Sequence, residues 1–176
     1  FMGLKYISDN EFVYSTENND KYVYNLKTKS TKKLYSIEKE WNFVEISENN
    51  NIAFKRDDNL YVNIDSRIKQ ITNDGSRDIV YWKAVHRNKF VVEKGLFWSK
   101  DGQKLAFYKM DQSMVADYPL VNTQERIAKY TPIKYPMAGE KSHEVLVGVY
   151  DVNTEKTIYL KTRENESTQE REMYLT

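Results

Sequence analysis

The sequence predicts an all-β chain built as a partial β-propeller: about three four-stranded antiparallel blades, with a long insertion in the third. Three observations carry this. Residues 94–110 hold two apolar runs, 96–98 and 105–108, on either side of Asp101-Gly102. Asp-Gly between apolar runs is a strong hairpin signal, because Gly accepts φ > 0 and Asp hydrogen-bonds locally. The hairpin then recurs: aligning Ser8, Ser47 and Ser99 superimposes the first two strands of three units, at offsets of 39 and 52 residues. Composition leans the same way, with 14 Tyr among 176 residues against 6 Gly and 3 Pro. Aromatic and β-branched side chains suit half-buried pleated strands. The competing arrangement is a three-sheet sandwich without rotational repetition.

The elements follow in order. Strands are expected over 4–8, 11–15, 22–26 and 33–37, joined by turns at 9–10, 17–20 and 27–31. The second unit places strands at 41–47, 52–54, 60–64 and 68–72, and Ile52-Ala53-Phe54 matches Leu105-Ala106-Phe107. The third unit opens with the hairpin and closes with strands over 145–151 and 157–162. Its last turn, Tyr150-Asp151-Val152-Asn153-Thr154, echoes Tyr24-Asn25-Leu26-Lys27-Thr28. The units thus cover 3–38, 41–73 and 95–162 of a single propeller-domain fragment spanning 1–176. Two stretches do not repeat: 74–94, and an inserted arm at 112–141 that holds all three prolines. Long insertions in a repeat array project from one face and carry contacts. Residues 163–171 read as a solvated connector, and Met173-Tyr174-Leu175 as the opening of a further strand.

Composition excludes several function classes. A net charge of +1 with interspersed signs leaves no footprint for nucleic acid or an anionic membrane. No apolar run reaches the length of a membrane helix, and no secretory signal is visible. The absence of Cys rules out disulfides and thiol chemistry, and two His without Cys argue against structural zinc. No cofactor or metal is expected. His86 and His143 lie far apart in sequence without acidic residues at ligand spacing, so His86 reads as a surface or strand-end hydrogen-bonding residue. Trp41 and Trp98 fall at matching early-strand regions and read as core; Trp82, in the non-repeating stretch, reads as core or as a chamber wall.

Gly95-Leu-Phe-Trp-Ser-Lys-Asp-Gly, Leu105-Ala-Phe-Tyr-Lys-Met-Asp-Gln-Ser-Met and Lys134-Tyr-Pro-Met-Ala-Gly-Glu-Lys-Ser-His occur in that order and spacing, after Val85-His-Arg-Asn-Lys-Phe. Together they resemble the amino-terminal propeller of the prolyl-oligopeptidase clan, in its dipeptidyl peptidase IV and prolyl tripeptidyl peptidase branch of Bacteroidetes type. The resemblance implies an eight-bladed propeller fused to an α/β-hydrolase with a Ser-His-Asp triad, acting on proline-containing peptides in the periplasm or elsewhere outside the cytoplasm. This chain contains no Gly-x-Ser-x-Gly elbow, so the hydrolase domain is absent and the chain is expected to be inert alone. Three units cannot close the implied ring, and uncovered terminal sheets favour self-association. The rival reading is a stand-alone propeller-type protein-binding module. A reading frame that continues into a Gly-x-Ser-x-Gly hydrolase decides for the enzyme.

The same resemblance implies that the segment before the Trp-bearing strand carries a glutamate for the substrate's terminal ammonium. An ammonium and a carboxylate at about 4 Å gain roughly 1 kcal/mol in water and more where water is excluded. Here the window is His86-Arg87-Asn88-Lys89-Phe90-Val91-Val92-Glu93, with Lys89 where a glutamate is expected. Three readings stay open for Arg87, Asn88, Lys89 and Glu93: a solvated surface turn, altered amino-terminal recognition, or Glu93 doing the family's work. In a helical segment Glu93 would share a face with Lys89 and neutralise it. The arm is likewise implied to dimerise, with residues 117–139 expected to protrude as a hairpin-like arm. Tyr118, Tyr130 and Tyr135 offer contact area with polar tips, while Pro119 and Pro136 fix an extended path. The alternative is a loop folded onto its own blade.

Overall fold

A computed structural model of the chain describes residues 2–83, 94–122, 124, 126–127 and 129–161. Every regular element among them is a β-strand. The first sheet runs β1 (Met2–Ser8), β2 (Glu11–Ser15), β3 (Lys21–Asn25), β4 (Ser30–Tyr35) in simple order. The second repeats that order with β5 (Asn42–Ile46), β6 (Ile52–Arg56), β7 (Asn59–Ile64) and β8 (Arg67–Gln70). In the third, β10 (Leu96–Trp98) and β11 (Lys104–Asp111) pair with β14 (Glu144–Asp151) and β15 (Lys156–Tyr159), and β9 (Ile79–Val80) joins β11 beyond β10. Between β11 and β14, β12 (Asp117–Asn122) and β13 (Lys129–Lys134) form a two-stranded ribbon. The all-β expectation and the four-stranded antiparallel units hold, and the sheets do not close into a ring.

Several details differ from the sequence reading. The fourth strand lies at Ser30–Tyr35 rather than 33–37, and the eighth ends at Gln70 rather than at residue 72. Thr72 instead turns its hydroxyl to the Leu60 amide at 2.9 Å, capping the ladder from the side. The stretch 74–94 contributes β9, which a two-residue run without alternation does not announce. Trp98 is half-buried, its indole N–H donating to the Glu45 carbonyl at 3.2 Å, whereas Trp41 and Trp82 are buried.

The second sheet shows why a short unbroken apolar run forms a strand here. Ile52, Ala53 and Phe54 are all fully buried, on alternating faces. Ala53, Leu60 and Val62 join Val80, Tyr81, Trp82, Leu96, Leu105, Phe107, Met110, Val145 and Tyr150 in one core shared with the third sheet. Ile52 and Phe54 face the other way, with Trp41, Tyr35 and Ile37, toward the first sheet. Each fully buried Leu or Phe removes apolar surface from water for about 1.5–3 kcal/mol. The middle sheet is therefore the one held from both sides.

Candidate functional site

The described residues that flank the stretch 84–93 approach one another closely. Before it, β9 carries the chain into Tyr81 and Trp82. Tyr81 is fully buried; its hydroxyl donates to Asp74, and its ring meets Phe107 edge-on at 5.8 Å. Trp82 stacks on Phe43 and lies under the Lys55 ammonium at 4.5 Å. Trp82 also sits at φ 47°, a left-handed conformation that costs a bulky L-residue free energy and persists only where packing enforces it. Afterwards the chain returns at Gly95, where an added Cβ would lie 2.4 Å from the Lys83 carbonyl oxygen and 2.7 Å from that of Trp82. Exit and re-entry thus touch, and only glycine lets the two backbones approach so closely. Arg87, Asn88, Lys89 and Glu93, with His86, lie outside the described residues.

Beside this anchor, Asp74 joins two partners. Lys109 Nζ lies 2.6 Å from its Oδ2 and 5.7 Å from the ring centres of both Tyr81 and Tyr159. Burial alone would raise the Asp74 carboxyl, but hydrogen bonds from Lys109 and Tyr81 outweigh it and hold the group below its ordinary range. Burial, aided by the Asp74 carboxylate, pushes the Tyr81 phenol far upward, so it stays a donor. The anchor is therefore a fixed, neutral-phenol hydrogen bond and not a titrating switch.

The ribbon of β12 and β13 forms a second candidate surface. Tyr118 pairs with Ile133, Leu120 with Thr131, Val121 with Tyr130 and Pro119 with Pro132. The two prolines oppose one another where neither needs to donate to its partner, so proline sits inside this ladder without breaking it. Tyr130 is 62% exposed and Val121 57%; Tyr118 and Tyr135 are exposed with rings 5.7 Å apart, Pro119 is exposed and Pro136 half-buried. Ribbon and body meet through polar groups. Arg77 grips both Asp117 carboxylate oxygens, at 2.6 and 3.3 Å, and donates to the Pro132 carbonyl. Lys134 donates to the Val115 carbonyl at 3.0 Å and faces Asp78 at 3.4 Å. The sequence reading missed this clamp. Its only trace is opposite charges on segments 40 residues apart in sequence, which no local pattern connects.

Among the described residues no group of three or more His, Asp or Glu is placed to hold a metal ion. No helix among them is long and apolar enough to cross a membrane.

A family model described as the dipeptidyl peptidase IV (DPP IV) N-terminal region matches residues 3–176. A protein of Talaromyces marneffei described as dipeptidyl-aminopeptidase B is 32% identical over 122 residues, 57% of this chain and 13% of that protein. Its counterpart in Arthroderma otae is 30% identical over 132 residues, 65% of this chain and 14% of that protein. The chain thus spans roughly one seventh of these curated relatives. Among solved structures, a Bacteroides ovatus protein described as a dipeptidyl aminopeptidase IV superposes at TM-score 0.73 with 37% identity, over 92% of this chain and 22% of that one. Porphyromonas gingivalis dipeptidyl peptidase 4 shares the fold at TM-score 0.64 and 24% identity, over 94% of this chain and 24% of that one.

Proposed function

The chain belongs to the family of dipeptidyl peptidase IV amino-terminal regions, and from that premise we propose that it is the non-catalytic propeller portion of a serine exopeptidase that cleaves proline-containing peptides. In this reading the propeller gates access to the hydrolase, the 84–93 segment recognises the peptide's amino terminus, and the β12–β13 ribbon contributes to a homodimer. The parent acts outside the cytoplasm, in the periplasm or beyond.

The observation that carries the reading is the touching of Trp82 and Lys83 with Gly95. The described residues flanking 84–93 are held together beside a buried, left-handed tryptophan. Flanks fixed in this way suit a segment that must meet a substrate terminus at fixed distance. The charge at Lys89 argues that this parent departs from a plain free-amine preference. In the full-length protein, Lys89→Glu exchanges a repulsion of the ammonium for an attraction. It is expected to raise kcat/KM on short free-amine Xaa-Pro substrates by about tenfold. An unchanged kcat/KM removes Lys89 from recognition.

Support for the ribbon's role comes from its exposed Tyr118, Leu120, Val121 and Tyr130 and from its clamped base. Surfaces of this kind are unusual on a lone soluble molecule. Deleting residues 117–139 is expected to convert a dimer to a monomer by mass in solution. A monomer before and after the deletion retires dimerisation through the ribbon.

A further inference from the structure

Between the first and second sheets lies a groove of about 600 Å³ that the reading above does not use. One wall is Lys32, Lys33, Leu34 and Tyr35 of β4; the other includes Trp41, the Asn49-Asn50-Asn51 turn and Asn63 of β7. Two features mark it as more than a packing gap. First, β4 is the terminal strand of its sheet, so its outward N–H and C=O groups lack a ladder partner among the described strands. Second, two buried polar atoms on the opposite wall have no hydrogen-bond partner: the Trp41 indole nitrogen and the Asn63 carboxamide oxygen. Buried polar groups are almost always paired, so each orphan asks for an explanation. Asn63 is the more telling. In the sheet ladder it stands between Ile52 of β6 and Ile68 of β8, a polar side chain in an otherwise apolar row that faces the first sheet.

The orphans are one donor and one acceptor. A peptide group supplies both complements, and an extended peptide also supplies the alternating N–H and C=O groups that an open strand edge accepts. We propose that this groove binds an extended peptide main chain, which lies along the β4 edge and is read by Trp41 and Asn63. The site is lined by the first two sheets and needs no free amino terminus.

The test uses the 176-residue chain, ¹⁵N-labelled, and a pentapeptide of alternating alanine and valine blocked at both ends. Blocked ends engage neither a hydrolase nor an ammonium site, so this result is independent of the function proposed above. A saturable shift of the Trp41 indole resonance is expected, assigned through Trp41→Phe. Affinity should fall about five- to tenfold in Asn63→Leu and again when the peptide's alternate amides are N-methylated. Amide spectra of each variant establish that it is folded. Should Trp41→Phe fail to fold, saturable shifts of the β4 amides serve instead. No saturable shift at millimolar peptide, equal binding of the N-methylated peptide, or a response to a linear oligosaccharide alone each overturns the proposal.

Discussion

At the scale of single residues, the repeat is a repeat of turn chemistry. Ser99 Oγ accepts from the Lys104 amide and Ser47 Oγ from the Asn51 amide, with φ 66° at Gly102 and 64° at Asn50 closing the same turn. The outer turns repeat in kind. Asn25 Oδ1 accepts from the Lys27 and Thr28 amides, Asp151 Oδ1 from those of Asn153 and Thr154, and Lys29 and Glu155 follow at φ 53° and 56°. Serine and Asx residues were legible in the sequence because their side chains do local work that depends on spacing alone. Asp151 adds a cation, with Lys104 Nζ at 2.8 Å. That bond, with the Thr154 amide, draws its carboxyl from 3.8 to about 2. A depressed carboxyl stabilises the fold above its unfolded value and loses that contribution as pH falls through the folded one. The thermal midpoint of the parent chain should therefore exceed that of Asp151→Asn at neutral pH. The gap should close between pH 3.8 and about 2. A gap independent of pH across that window would mean the charge has no role.

At the scale of elements, alternation exposed the strands of the first two sheets, and the hairpin at 94–110 exposed the start of the third. β9 stayed hidden because its two residues are specified from far away, by pairing of Val80 with Met110 and Ile79 with Asp111. The arm was legible as a hairpin-like insertion, but its register was not: prolines read as ladder breakers until Pro119 and Pro132 are seen opposite one another. Their missing N–H groups fall on the ribbon's outer edges, which blunts further strand addition there. The base of the 84–93 segment makes the sharpest demand on one residue. Gly95→Ala sets a methyl 2.4 Å from a carbonyl oxygen with only backbone to yield. Relief requires the Trp82–Lys83 backbone to shift, which disturbs the buried Trp82, at a cost of about 1–3 kcal/mol. The expected reading is a lower Tm accompanied by altered near-ultraviolet dichroism from Trp82. An unchanged Tm would show that the two backbones are not held together.

At the scale of the whole molecule, the two seams between sheets are unlike. The second and third sheets share a twelve-residue buried core. Polar bonds then cross-link them: Asn51 donates to the Gly102 carbonyl, Lys94 pairs with Glu45, Trp98 donates to the Glu45 carbonyl, and Lys69 pairs with Glu155. The first sheet meets the second through Tyr35 and Ile37 against Trp41, Ile52 and Phe54. Among its own described residues only Val13 is buried, and Leu4, Tyr6 and Ile7 are more than half exposed. Exposed ion pairs contribute little singly, so the difference rests on the shared core, with the cross-links fixing its register. Repeat arrays owe their stability to neighbour interfaces, and a unit with a thin interface opens on its own. Native-state hydrogen exchange should then protect β6, β7, β11 and β14 as one set, while β2 and β3 exchange about tenfold faster or more through separate opening of the first sheet. Equal protection across all three sheets would mean that the chain opens only as a whole. It would also mean that the thin first seam is as strong as the second, contrary to the burial that distinguishes them.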